Sequence, residues 1–530
     1  MLRLRLSLFL AVPLCLPATA LDAQDAASTD TRVETPSGPL IGTLDPEQGV
    51  RSFLGVPYAQ PPVGALRWRH ARAVEPWDEA RRADAYSLAA IQAEPRPYEG
   101  IGERGEDCLA LNVYAPAPAE GGELAPVFFW IHGGGFQSGS AMSAEYDGAR
   151  LAEAGVCVVV PNYRLGPLGF LAHPALSAEG EGSGNQALSD LICALEWVRT
   201  HARSFGADPE RVTIAGQSAG GSAVAALLCA RPAQGLFHQA IVHSGGASRR
   251  APALREDPAG TSAEEYGLHF ARALGIEGEG AEALAALRAV PAERLLEAWD
   301  ATREAHGRFD LCSDGRLLER APGESLDLGT FANVRLMVGE TADEASMFFM
   351  RGGAQSRAEY ESWMRERFGS LSERALEFYA ADAVEQFATQ QQQASNDGYS
   401  THARLLARSM APGQATWRYR FTRVSPFGES MRLGSYHGAE IAYVFGHVEE
   451  GRRYTAEDVA LAERMRAHWV AFVSEGDPNA GLELPRWEPF TPEEERYHVF
   501  DASDSSGAAW RNAACDLREA AWRAEEAGAR

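Results

Sequence analysis

Apolar residues follow two rhythms along this chain. Unbroken apolar runs of strand length recur at Val127–His132 (VFFWIH), Val156–Arg164 (VCVVVPNYR), Ala240–Ser244 (AIVHS) and Arg335–Glu340 (RLMVGE), and the strand-like TWRYRFTRV comes later. Strands that are apolar on both faces belong to sheets covered on both sides, as parallel sheets are. Between them lie helical stretches such as Leu191–Ala202 (LICALEWVRTHA). Alternation of this kind predicts an α/β chain: a mostly parallel central sheet with helices on both faces. From Glu264 to Arg303 and from Ala358 to Arg408 the pattern becomes helical and alanine-rich. These segments read as helical insertions, about 250–330 and 350–435, over one end of the sheet, where insertions shape a substrate entrance. No internal repeat or low-complexity linker divides the chain, so residues 24–530 are expected to form a single domain.

Composition narrows the function classes. The chain has 530 residues, 45% hydrophobic and 23% charged, which is ordinary globular content. A net charge of -24 argues against a nucleic-acid partner, because phosphate binding needs clustered positive charge. All 49 basic residues are arginine. Without lysine there is no Schiff-base chemistry, no P-loop lysine and no Ser-Lys dyad. The first residues, MLRLRLSLFLAVPLCLPATALDAQ, combine two arginines, a short apolar run and small residues at Ala18–Ala20. That is the layout of a secretory signal peptide over residues 1–23, so the mature protein is expected to be exported, periplasmic or secreted. No stretch is long enough for a stable membrane span. Of seven cysteines, six follow the leader, and Cys157, Cys193 and Cys229 sit in apolar or helical stretches that suit buried thiols. Cys312 and Cys515 remain as a pair that an oxidising compartment would allow to bridge.

The candidate chemistry begins at Arg211–Leu228, RVTIAGQSAGGSAVAALL, which reads as strand, tight turn and helix with Ser218 at the corner. A serine on such a turn is pushed into the cleft above a sheet, and flanking glycines remove side chains that would clash there. Acyl transfer through that serine needs a base, an acid to orient the base, and donors for the oxyanion. His132-Gly133-Gly134-Gly135-Phe136 directly follows the VFFWI strand, so bare backbone N–H groups can converge on one spot. The N–H of Ala219, just after the serine, would add a further donor. For the acid, Glu340, Asp343 and Glu344 all lie just past a strand, and spacing alone does not choose among them. Among 13 histidines, His437 in MRLGSYHGAEIAYVFG is the best placed downstream of these carboxylates.

Taken in order, these segments resemble the type-B carboxylesterases, which include cholinesterases, bile-salt lipases and bacterial nitrobenzyl esterases. The resemblance runs through RSFLGVPYAQPPVGALRWR, GEDCLALNVYAP, WIHGGGFQSGS, VVPNYRLGPLGFL, GNQALSDLICALEWV, FGADPERVTIAGQSAGG, GLFHQAIVHSGG, GETADEASMF, YHGAEIAYVFG and RWEPFT. It implies the α/β-hydrolase fold and a serine carboxylester hydrolase that needs no metal or organic cofactor. Its reactants would be a small-molecule ester and water. Residue by residue, the resemblance makes Ser218 the nucleophile, His437 the base, Glu344 the acid, and Gly134, Gly135 and Ala219 the oxyanion donors. Ser244 and Glu440 match polar residues buried near the triad, with simple packing support as the other reading. Phe136 and parts of the helical insertions are expected to line the acyl and alcohol pockets.

Several positions depart from the family pattern. Gln217 precedes the serine where many members carry glutamate, which weakens any case for a cationic substrate. The disulfide partner usual upstream of Cys108 is missing, Ala110 alters the second signature, and Ala345 replaces the glycine usual after the acid. No tryptophan lies between Asp78 and Asp107, where cholinesterases place their choline-binding indole. The same machinery could serve an amide, thioester, lactone or polymer ester, whereas a non-catalytic binding homologue is disfavoured because serine, acid and histidine are all present. Oligomeric state is left open.

Overall fold

A computed structural model describes residues 29–93, 101–118, 122–249, 251–257, 260–306 and 309–529. The expected signal segment lies outside the described residues. The main path of the sheet is built from β1 (Thr29–Thr35), β2 (Gly38–Asp45), β3 (Val50–Pro57), β4 (Ala110–Pro116), β5 (Ala125–Ile131), β6 (Cys157–Pro161), β7 (Ala207–Gln217), β8 (Gln239–His243), β9 (Arg335–Thr341), β10 (Thr416–Phe421), β11 (Arg496–Phe500) and β12 (Ser505–Ala508), with the two-residue strand Arg81–Arg82 paired beside β2. They lie in the order β1-β2-β3-β4-β6-β5-β7-β8-β9-β10-β11-β12. From β6 to β11 all neighbours are parallel, while β1 to β4 and β12 add antiparallel margins. The sheet is thus mixed, with the expected parallel centre.

The longer helices are α1 (Gln186–His201), α2 (Ala219–Cys229), α3 (Ala263–Ala273), α4 (Ala281–Ala289), α5 (Ala292–His306), α6 (Arg357–Phe368), α7 (Ser372–Phe378), α8 (Val384–Met410), α9 (Ala456–Glu475) and α10 (Asn512–Ala529). The two-residue period of β5 explains why helices cover both faces. Val127, Phe129 and Ile131 join one core with Leu191 and Leu195 of α1 and Val224 and Leu227 of α2. Phe128 and Trp130 enter the opposite core, against Leu461, Met465, Trp469 and Phe472, which form one stripe of α9. Each of these side chains contributes roughly 1.5–3 kcal/mol by leaving water. The helix α9 starts at Thr455, whose hydroxyl accepts from the N–H of Asp458 while the Asp458 carboxylate accepts from the N–H of Thr455.

The second helical insertion has a core of its own. Tyr360, Met364 and Phe368 of α6 pack with Phe387 of α8 and with Leu517 and Ala521 of the late helix α10. The six described cysteines are all free thiols, so the bridge that the sequence allowed between Cys312 and Cys515 is not made. The Cys312 thiol packs on the Ser183–Asn185 turn, donating to the Ser183 carbonyl at 3.9 Å, whereas Cys515 lies on α10 beside Thr401 of α8. No helix among the described residues is long and apolar enough to cross a membrane.

Candidate active site

Strand β7 ends at Gln217 and α2 begins at Ala219, so Ser218 alone makes the turn, with φ 59° and ψ -122°. A positive φ on a non-glycine residue is strained and persists only where its surroundings hold it. Here the Ser218 N–H donates to the His243 carbonyl at 2.9 Å, tying the turn to the end of β8. The neighbouring glycines are required by close approach. A Cβ on Gly216 would lie 2.5 Å from the Gly220 carbonyl, and one on Gly220 would lie 2.0 Å from the Ile131 oxygen. The serine therefore sits half-buried at the cleft floor, with α2 pressed directly onto β5.

The loop after β5 is fixed just as closely. Gly134 and Gly135 adopt φ 111° and 64°, and the Gly134 carbonyl accepts from the N–H groups of Gln137 (3.0 Å) and Ser138 (3.1 Å). The buried His132 ring stacks on Tyr163 at 4.4 Å, and the Tyr163 hydroxyl donates to the His132 carbonyl at 2.8 Å. Burial pushes His132 down to about 4, so it stays neutral and serves as scaffold. From outside, the Gln92 amide accepts from the Gly139 N–H at 2.9 Å and donates to the Gly139 carbonyl at 2.8 Å.

Tertiary geometry separates the three carboxylates that spacing left open. Glu340 pairs with Arg418 at 2.9 Å in the core, and Asp343 accepts from the Ser435 N–H at 2.9 Å, pinning the loop that carries His437. Glu344 is fully buried, accepts from the Thr341 N–H at 2.8 Å and lies 2.5 Å from His437 Nδ1. With Nδ1–H directed at a carboxylate, Nε2 keeps its lone pair on the cleft side. The Gln217 amide nitrogen lies 3.1 Å from that Nε2 and donates to it. Burial alone lowers the His437 pKa, but the charge and hydrogen bond of Glu344 outweigh it and hold the ring above its ordinary value. Phe348 and Tyr399 flank the imidazole at 5.7 and 5.2 Å between ring centroids.

Ser218, Ala219, Gly134, Gly135, Phe136, Gln217, Ser244 and His437 all line one cleft of about 1850 Å³. Phe136 is mostly buried against Phe170, 5.1 Å away, so little of its ring faces the opening. Ser244 is buried, and its N–H donates to the Gly339 carbonyl at 2.8 Å. Glu440 is buried behind the cleft, 3.4 Å from His243 Nδ1, in a pocket that Tyr419 and Trp469 complete through hydrogen bonds to the same ring. Among the described residues no group of three or more His, Cys, Asp and Glu side chains could hold a metal ion.

This constellation of turn, glycine loop and Glu-His pair agrees with the comparisons. Residues 29–518 match the model of the Carboxylesterase family. The chain belongs to that family. The carboxylesterase is 35% identical over 507 residues to a fumonisin B1 esterase of Sphingopyxis macrogoltabida, covering 89% of this chain and 88% of that protein. It is 32% identical to the para-nitrobenzyl esterase of Bacillus subtilis (strain 168), covering 89% and 94%. A solved PNB esterase superposes with a TM-score of 0.80 at 30% identity, over 92% of this carboxylesterase and 100% of that chain. The fold is thus the α/β-hydrolase fold, and the protein is an enzyme that acts on carboxylic esters with water.

The helical insertions were expected to line the cleft, without named residues, and Ser395, Tyr399 and His402 of α8 do so; Arg518, Trp522 and Glu525 of α10, outside those insertions, line it as well and were not anticipated. Their spacing places each trio on one helix face, a signal present in the sequence. Nothing local says that this face looks onto the serine.

Proposed function

We propose that this carboxylesterase works through an acyl-enzyme on Ser218. His437 Nε2 takes the proton as the serine oxygen attacks the ester carbonyl, and Glu344 stabilises the imidazolium that forms. The N–H groups of Gly134, Gly135 and Ala219 receive the charge of the tetrahedral intermediate. His437 then returns its proton to the departing alcohol, and water repeats the two steps on the acyl-enzyme. Ser244 and Glu440 are assigned to support behind the triad. The observation that carries this reading is the Glu344–His437 contact of 2.5 Å in the same cleft as the strained Ser218 turn. The arginine-led, apolar N-terminal layout supports export of the enzyme.

The test is hydrolysis of p-nitrophenyl esters of graded acyl length by the native enzyme and by Ser218→Ala. Turnover by the native enzyme that falls by on the order of 10⁶ in the variant supports the mechanism. A folded Ser218→Ala protein that keeps its rate would assign the chemistry to another group.

A further inference from the structure

The cleft wall made by α8 and α10 carries an unusual charge arrangement. Starting at the imidazole of His437, Tyr399 lies 5.2 Å away between ring centroids, and His402 follows on the same face of α8. The His402 ring lies 4.7 Å from Trp522, and the Arg518 guanidinium lies 5.1 Å from the Trp522 ring centroid. Arg518 also sits 5.0 Å from the Phe368 ring and donates to the backbone carbonyl of Arg367. Arg367 lies 4.5 Å over Trp363, with its side chain open to the cleft. Aromatic rings and two guanidinium groups thus line one wall of the cleft that holds the reacting centre.

Other arginines of the cleft are neutralised. Arg249 is held by Asp327 and Glu526, Arg303 by Asp300, and Arg320 by Glu319. Arg367 and Arg518 make no ion pair with any described residue. Glu525 acts on Arg518 and Glu366 on Arg367 through space, without pairing. Burial and the like charge of Arg367 push Arg518 down to about 10. His402 is held near 4, by burial first and then by Arg518 and Arg249, so it adds no charge of its own. Two guanidinium groups on one cleft wall, each set over aromatic rings and neither in an ion pair, offer N–H donors to an anion.

We propose that Arg367 and Arg518 form an anion subsite of this cleft, which takes a carboxylate carried by the ester substrate away from its scissile bond. The proposal rests on Ser218 and His437 being the reacting centre. Carboxylates share the cleft lining, but Asp327 and Glu526 are engaged by Arg249, Asp300 by Arg303 and Glu319 by Arg320. The overall charge of -24 is screened within about 8 Å at physiological salt.

The experiment compares matched esters with and without a remote carboxylate. On the acyl side these are mono-4-nitrophenyl glutarate and 4-nitrophenyl pentanoate. On the alcohol side they are 4-carboxyphenyl butyrate and 4-carbamoylphenyl butyrate. The native enzyme is expected to favour the anionic member of at least one pair by about tenfold or more in kcat/KM. Arg367→Gln and Arg518→Gln should each lower that ratio several-fold, mainly through KM, and high salt should lower it too. A ratio at or below one in both pairs, or one that neither substitution moves, overturns the subsite. Should either variant fail to fold, free glutarate as a competitive inhibitor of the native enzyme decides. Inhibition that weakens with salt supports the subsite, and no inhibition at any concentration up to saturation rejects it. Failure to hydrolyse even the neutral esters would instead count against the Ser218 mechanism.

Discussion

His437 is held between opposed effects: burial favours the neutral imidazole, and Glu344 favours the imidazolium. Because Glu344 wins, the proposed base titrates above its usual value, and its protonated form cannot accept the Ser218 proton. The acid limb of kcat/KM is therefore expected to have its midpoint above about 6.5, with activity rising as pH rises through it. In Glu344→Gln the charge that raises the ring is gone and burial remains, so the limb should move to lower pH while the plateau rate falls. A limb that stays in place would remove Glu344 from this role. Gly134 offers a second test at the same scale. With φ 111° and a would-be Cβ 2.0 Å from the Ser138 oxygen, Gly134→Ala must displace the loop. A loss of about 10²–10³ in kcat, with the circular dichroism spectrum retained, is expected when an oxyanion donor moves.

Among the elements, α9 is the clearest case of local sequence and packing agreeing. Its capping pair, Thr455 and Asp458, also receives Arg423 at 2.7 Å and the Tyr443 hydroxyl at 2.7 Å. Thr455→Ala should cost about 1 kcal/mol in denaturant unfolding. Asp458→Ala leaves Arg423 and Tyr443 without their buried partner, and a cost of about 3–5 kcal/mol is expected. Burial opposes ionisation of Asp458, but the bonds from Arg423, Thr455 and Tyr443 prevail and hold its carboxyl at about 2. Its folded pKa lies below its unfolded one. The carboxylate therefore adds stability above the ordinary range near 4, and that stability is lost as pH falls towards 2. The elbow at Ser218 makes the opposite point: helix α2 can begin there only because Gly216 and Gly220 let backbone meet backbone. Gly220→Ala should yield little folded protein, read as loss of soluble expression.

For the molecule as a whole, the two faces of one sheet carry the two largest cores, and a third core joins α6, α7 and α8 to the distant helix α10. The cysteines are part of this packing. Five of the six described thiols are buried and Cys229 is half-buried. Burial raises the pKa of all six, so none is poised as a thiolate at neutral pH. Thiol reagents should therefore label these positions only after unfolding, and dithiothreitol should leave the midpoint of thermal unfolding unchanged. A midpoint that drops by several degrees on reduction would reveal a bridge worth about 2–5 kcal/mol.

The sequence by itself determined the elements and the order of the chemistry. Apolar runs such as VFFWI and VCVVV can be buried only inside a two-sided sheet, and the segment order from the glycine loop to His437 is written along the chain. Strand neighbours were a different matter, since β5 inserts between β6 and β7 through pairings that no local pattern encodes. Nor could spacing choose among Glu340, Asp343 and Glu344. Arg418 claims the first, the Ser435 backbone claims the second, and His437 meets the third, and each partner lies 78 or more residues away in sequence. The same holds for Arg367 and Arg518, which are 151 residues apart and meet only because α10 closes the core of the second insertion. Local patterning sets which residues can be buried; long-range packing decides which of them face one another.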